Sequence, residues 1–372
     1  MKHVLLSFAV IVMPYLLCTG CSSKNMNRAF RPGEIWTDTD GVPINAHGGG
    51  ILKVGDTYYW YGEHKTEETQ GNVANVGVRC YSSVDLYNWK NEGVALSVSD
   101  NPDSPIVRGC ILERPKVIYN KKNDNYVMWF HLEPKGGGYS GAMSGVAVSD
   151  SPTGPFTFLK ALRPNAGEWP LNMPENLRRR EVRLGDGRFT GASLPMHPDS
   201  MNLVRRDLAD GQMARDMNLF VDEDGKAYHI YSSEENSTLH ISLLDEDYTS
   251  HAKEYTRNFP GRFMEAPAIF KKDGRYYLIM SGCTGWAPNQ ARSAVADNIL
   301  CEWTELGDPC AGDETHTTFR SQSTCVLQVG NRFIFMADRW NPDNAIDGRY
   351  VWLPLTFEDG RPVIRWVDEW EY

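Results

Sequence analysis

The chain lacks every short motif that would announce metal or activated-nucleophile chemistry. Its nine histidines form no H-E-x-x-H pair, and Ser140 and Ser144 stand outside any G-x-S-x-G frame. Zincin and serine-hydrolase arrangements are therefore not expected. The cysteines beyond residue 21 (Cys80, Cys110, Cys283, Cys301, Cys310 and Cys325) contain no C-x-x-C pair, which argues against a structural zinc centre. Most of them read as buried free thiols, with Cys301 and Cys310 as one candidate disulfide. An excess of positive charge is missing too. The net charge is −10 and the pI is near 5.4. The nearest thing to a basic run, Arg178-Arg179-Arg180, is flanked by Glu175, Glu181 and Asp186. Nucleic acid is not an expected partner, and the cluster reads as a solvated loop or a pocket rim. Asp222-Glu223-Asp224-Gly225 lacks the remaining ligands of a calcium loop and reads as a hairpin turn.

Long apolar runs are absent beyond the N-terminus. Lys2 and His3 lead into an apolar stretch at 4–13, followed by Leu16-Leu17-Cys18-Thr19-Gly20-Cys21. This is short for a spanning helix and suited to a signal h-region. Gly20-Cys21-Ser22-Ser23 resembles a bacterial lipoprotein cleavage site with Cys21 as the lipidated residue. Cys18 stands where leucine is commonest, which leaves ordinary signal cleavage open. The expected organisation is a signal at 1–21, a polar linker at 22–35 and a soluble body at 36–372. That body would be lipid-anchored in the cell envelope, at the periplasm or outer membrane, and would touch membrane only through the anchor.

What is present is a repeated phrase: a short apolar strand, a polar turn, and an aromatic strand. It occurs at residues 51–61, 117–130, 219–231, 269–279 and 326–336. Most copies lie about 50 to 65 residues apart, and a repeat of that length holding several strands predicts an all-β, five-bladed β-propeller. Eleven Trp and seventeen Tyr suit twisted antiparallel sheets and aromatic-lined sugar sites. The longer second gap, about 160–215, carries five prolines and mixed charges and reads as an insertion on the propeller.

In a propeller the residues just before each phrase lie near the axis. Those positions hold Glu113, Asp216, Glu265 and Gln322, with His47 before Gly48-Gly49-Gly50 in the first blade. A lone carboxylate at such a place is more often a salt bridge. The shared register of three of them points instead to a site, and convergent carboxylates are what glycosidic hydrolysis needs. Glu265 begins Glu265-Ala266-Pro267, and the proline keeps its predecessor extended at a strand's start.

The chain resembles glycoside hydrolase family 43, the inverting five-bladed propeller enzymes. The likeness is carried by Ala46-His47-Gly48-Gly49-Gly50, Tyr59-Trp60-Tyr61-Gly62-Glu63, residues 77–83, Ser281-Gly282-Cys283-Thr284-Gly285-Trp286 and Met336-Ala337-Asp338-Arg339-Trp340. These are similar to the branch of exo-β-1,3-galactanases and neighbouring α-L-arabinofuranosidases and β-D-galactofuranosidases. The resemblance implies Glu265 as general acid and Asp216 as the carboxylate that raises its pKa and orients it. The usual aspartate base of the first blade is replaced by His47-Gly48-Gly49, and the fifth-blade position is Gln322. Gln322 is expected to position water. Glu113 is an alternative base or a ligand for a sugar hydroxyl, the latter favoured because Arg114-Pro115 suggests an ion-paired carboxylate. Glu63, Tyr139 and Thr284 are candidate hydroxyl ligands, Trp286 a candidate stacking platform, and His47 and Arg339 further sugar-binding candidates. No cofactor is required; a calcium occurs in parts of the family, and no residue pattern here supports one. The implied activity is exo-acting removal of terminal galactose from plant arabinogalactan or β-1,3-galactan-like glycans. Alternatives are arabinofuranose or galactofuranose removal, or glycan binding without catalysis. The insertion weighs towards the first of these alternatives, because it would reshape the pocket.

Overall fold

A computed structural model describes residues 26–67, 71–185, 193–347 and 349–372. The signal segment and Cys21 lie outside the described residues. Five sheets follow one another along the chain: four pair four antiparallel strands in sequence order, and the fifth pairs its last four strands in the same way and adds Cys310–Ala311 parallel to Arg361–Arg365 at its edge. The inner strands are His47–Val54, Ile111–Asn120, Met217–Val221, Glu265–Lys272 and Gln322–Val329. Each packs against the inner strands of the two neighbouring sheets, and the last packs against the first, so the ring closes. The fold is a five-bladed β-propeller.

Each repeated phrase forms the inner hairpin of a blade. Glu265–Lys272 and Arg275–Ser281, for instance, pair from Lys272 opposite Arg275 to Glu265 opposite Ser281. Asp222–Gly225 is a hairpin turn, Gly225 N donating to Asp222 O at 3.0 Å.

Four inner strands share an irregularity at the same end. The ladder slips between His47 and Gly50, Glu113 and Lys116, Glu265 and Ala268, and Ser323 and Cys325. Within three of these bulges a residue takes a left-handed backbone: Gly48 (φ 63°), Arg114 (φ 56°) and Ala266 (φ 51°), the last in place of the extended conformation expected before Pro267. A bulge bends its strand and re-aims the side chains beside it. Pro115 and Pro267 sit inside bulges, where no ladder hydrogen bond is lost. At Gly48 a side chain is excluded twice over, by its φ and because a Cβ would lie 2.2 Å from Glu63 Oε1.

The seam between the first and last blades is filled by aromatic rings. Trp60, Trp89 and Trp352 are fully buried, with Trp60 centroids 5.3 Å from Trp89 and 4.9 Å from Trp352. Such contacts contribute about 0.5–1.5 kcal/mol per pair beyond area burial. Residues 26–35, expected as linker, join this seam. Phe30 is buried and bridges Trp370, and Asn27 exchanges hydrogen bonds with Asn88. The polar composition of that stretch conceals one anchoring aromatic.

All six described cysteines are free, so the Cys301–Cys310 disulfide is not formed; Cys301 is exposed and Cys310 buried. Among its described residues, the insertion between the second and third blades carries three one-turn helices, Glu175–Arg178, Pro198–Met201 and Leu203–Arg206. Within its Arg178-Arg179-Arg180 cluster, Arg178 is tied to the carbonyls of Met173 and Pro170. No helix among the described residues is long and apolar enough to cross a membrane.

Candidate active site

The bulged ends of the inner strands open into a cavity of about 920 Å³, at the upper end of the 300–1,000 Å³ usual for small-ligand sites. Glu113, Asp216, Glu265 and Gln322 all line it. The register read from the repeat therefore brings four residues from four blades to one place.

Glu265 begins its strand with its Oε1 accepting from Asn236 Nδ2 at 2.8 Å. Burial first, and the negative charge of Asp216 second, raise its pKa to about 7. A hydrogen bond from Cys283, then Arg114 and Arg215, pull the other way and are outweighed. Asp216 Oδ2 accepts from Arg114 Nη2 at 2.9 Å and from the Ala266 backbone N at 3.2 Å. The left-handed turn at Ala266 aims that N–H, so the bulge of the fourth blade grips the carboxylate of the third. Glu265 thus keeps a substantial protonated fraction near neutral pH beside a charge-paired Asp216, a division of roles suited to acid catalysis.

Gln322 is held at both ends. Its Oε1 accepts from Arg114 Nη2 at 2.5 Å and Trp340 Nε1 at 3.0 Å. Both partners are donors only, which fixes the amide's orientation. Its Nε2 gives one hydrogen to Ser281 Oγ at 2.9 Å and has a second to give. Such an amide holds a water by donation.

Glu113 is paired differently from expectation. The cation following it, Arg114, turns to Asp216 and Gln322 because its backbone is left-handed. Glu113 is bonded instead by His131 Nδ1 at 2.9 Å and Tyr139 Oη at 2.8 Å. Burial alone would raise its pKa, but the bonds and charge from His131 outweigh it and hold the carboxyl below its ordinary range. His131 also reaches Glu133 Oε1 at 2.9 Å. Burial opposes its charge, and the two carboxylates overcome that and raise its pKa to about 9. Glu113 is accordingly a weak base whose two oxygens already accept hydrogen bonds.

Glu113, His131 and Asp216 offer donor atoms within 4.8 Å of one another. They do not fit a calcium: both His131 nitrogens are engaged by carboxylates, and Arg114 already neutralises Asp216. Calcium also takes oxygen donors rather than imidazole.

Glu63 and Trp286 line the cavity as well, as does Tyr139. Lys65 Nζ lies 2.9 Å from Glu63 Oε2 and over the rings of both Trp340 and Trp286, 5.3 and 5.8 Å from their centroids. Trp286 is 39% exposed, leaving indole surface free at the rim.

Three expected sugar ligands are not brought into the cavity lining. His47 begins its inner strand as predicted, but the glycine bulge turns its ring into the core, stacked 5.3 Å from Tyr350. Thr284 Oγ1 is spent within its own loop, donating to Ala287 O and accepting from Asn289. Arg339 reaches outward to Phe319 O and lies over Trp366. Sequence reasoning also missed Arg114 as a hub, Trp340, Asn236 and Cys283, all of which line the cavity. One signal was available for Arg114: Glu113-Arg114-Pro115 repeats the Glu265-Ala266-Pro267 pattern, and so predicts the same bulge.

The family described as glycosyl hydrolases family 43 matches residues 199–322, which span Asp216, Glu265 and Gln322. A family 43 β-1,3-galactosidase solved with galactodeoxynojirimycin is 51% identical, with a TM-score of 0.87 over 92% of this chain and 100% of that one. A variant of the exo-β-1,3-galactanase of Phanerochaete chrysosporium, solved with β-1,3-galactotriose, is 33% identical (TM-score 0.75, 93% of this chain and 68% of that one). An exo-β-1,3-galactanase of Clostridium thermocellum is 35% identical (TM-score 0.73, 92% and 66%). Among curated proteins no match was found.

Proposed function

The chain belongs to glycosyl hydrolases family 43, and from that premise we propose that it is an exo-acting, inverting enzyme releasing terminal galactose from β-1,3-galactan and plant arabinogalactan-like glycans. The observation that carries the chemistry is the Glu265–Asp216 pair: one buried carboxyl raised to about 7 beside a second that is ion-paired to Arg114. The substrate follows the similarity to β-1,3-galactosidases and exo-β-1,3-galactanases, one of which is matched over its full length. That likeness outweighs the insertion as a guide to the sugar, since the insertion was what weighed towards arabinofuranose or galactofuranose within the same branch.

Glu265 gives its proton to the glycosidic oxygen as the bond to the anomeric carbon breaks. Water held by the free Gln322 N–H adds to that carbon from the opposite face and releases its surplus proton to solvent, solvent returns a proton to Glu265, and one water is consumed per turnover. Glu113, Tyr139 and Glu63 bind hydroxyls of the terminal sugar, and Trp286 receives the next ring. No cofactor takes part, so dialysis against a chelator should leave turnover unchanged. The protein works outside the cytoplasm, tethered by lipid on Cys21; labelling with a radioactive fatty acid, lost in Cys21→Ala, tests the tether.

Incubation with β-1,3-galacto-oligosaccharides, arabinofuranosides and galactofuranosides in parallel tests the reading. Release of galactose, first seen as the α-anomer by NMR, is expected from the first alone. Product from a furanoside only, or binding with no product, would overturn it.

A further inference from the structure

The loop between the strands Ala227–Ser233 and Thr238–Leu244 has an unusual backbone. Glu234, Glu235 and Asn236 take φ of 50°, 58° and 62°, three consecutive non-glycine residues in the left-handed region. Such strain persists only where surrounding contacts over-determine it, and it clusters at functional sites. The contacts here are guanidinium grips. Arg257 holds Glu234 through two bonds of 2.9 and 2.6 Å and also reaches Asp199 of the insertion. Arg206, at the end of the insertion's third helix, donates to Glu235 at 2.8 Å while clasping Asp207. Arg215, at the insertion's end, lies 3.3 Å from the other Glu235 oxygen. It also donates to the Tyr139 carbonyl at 2.8 Å and to Asn236 Oδ1 at 3.2 Å.

That last bond has a chemical consequence. An amide side chain can face a carboxyl with either its oxygen or its NH₂. Because Arg215 is a donor only, it claims Asn236 Oδ1 and leaves Nδ2 to face Glu265 Oε1 at 2.8 Å. A carboxyl oxygen that accepts from N–H is a poor seat for the acidic proton, which is thereby assigned to Oε2. With the amide reversed, Oδ1 would accept the acid's O–H and divert it from the leaving group.

We propose that Glu235, gripped by Arg206 and Arg215, is a positioning residue that keeps the Asn236 amide oriented on the general acid, and that the insertion is thereby part of the proton-delivery apparatus. This rests on Glu265 being the acid of a galactoside hydrolase. Only a poor leaving group needs that proton.

The test compares β-1,3-galactobiose with dinitrophenyl β-galactopyranoside, whose leaving group departs unprotonated. In Glu235→Ala, kcat on galactobiose should fall about 10-fold or more while the aryl substrate stays within about 3-fold. Glu235→Gln, which keeps an acceptor, should recover part of the loss. If Glu235→Ala fails to fold, Arg206→Met, outside the loop itself, carries the same expectation. Equal losses on both substrates would mean general damage to the pocket and overturn the proposal, as would no loss on either. A wild-type protein inactive on both would instead strike the galactosidase reading beneath it.

Discussion

Arg114 Nη2 lies 2.9 Å from Asp216 Oδ2, and the same nitrogen lies 2.5 Å from Gln322 Oε1. One buried cation thus ties the carboxylate beside the acid to the amide that holds the water. Arg114 also packs over Trp340, 5.1 Å from the ring centroid, and donates to Ser323 O. Substitutions in this site will therefore be felt at more than one residue.

For Glu265 the pH dependence has a definite sign. An acid catalyst must be protonated, so activity requires pH below its pKa. With that pKa raised to about 7 by burial and Asp216, kcat/KM should decline on the alkaline side from near pH 7. Glu265→Gln should lower turnover on galactobiose at least ~10²-fold. Wild-type-like hydrolysis by that variant would remove Glu265 from the role.

Asp216→Asn deletes a charge that raises Glu265, so the alkaline limb should move to lower pH. It also leaves Arg114 buried without its ion-pair partner, and a lower melting temperature should accompany the change. A limb that stays in place would show that burial alone sets the acid.

Gln322→Ala removes the donor to water and should reduce kcat by about 10²-fold or more, on the scale of a single catalytic group. Gln322→Glu keeps acceptors for Arg114 and Trp340 and adds a true base, so it should retain far more activity than the alanine variant. An alanine variant that keeps the wild-type kcat would refute water positioning by donation.

His131 gives a stability test separate from catalysis. Its folded-state pKa is raised to about 9, above the unfolded value near 6.5. The stabilisation is therefore fully present below about pH 6.5 and is lost as pH rises through 9. The gap in melting temperature between wild type and His131→Gln should be widest near pH 6 and narrow by pH 9. A gap that does not change with pH would mean the histidine is neutral when folded.

Much of this was legible from residue order. The strand-turn-strand phrase is local, so counting its copies reached five blades, and the position preceding each phrase located Glu113, Asp216, Glu265 and Gln322 on one cavity. What escaped depends on backbone handedness and on partners remote in sequence. Nothing near Arg114 reveals that it will meet Gln322, 208 residues away. His47 failed for the opposite reason: its register was right, but the following glycines admit a bulge that turns the ring inward. Asn236 sits in a loop whose left-handed shape is held by Arg206 and Arg215 of the insertion and by Arg257, all remote from it in sequence.

The aromatic seam has a mechanical meaning. Among the described residues no sheet combines strands from the two ends of the chain, so the first and last blades are joined by side-chain packing, the Phe30–Trp370 bridge, a backbone bond from Gly33 N to Tyr350 O, and side-chain hydrogen bonds such as Tyr350 Oη to Ile44 O. The junction is a clasp rather than a weld, and ring opening should begin there. With Trp36, Trp60, Trp89, Trp352 and Trp370 gathered at that clasp, intrinsic tryptophan emission should report the first separation of the blades before the sheets themselves melt.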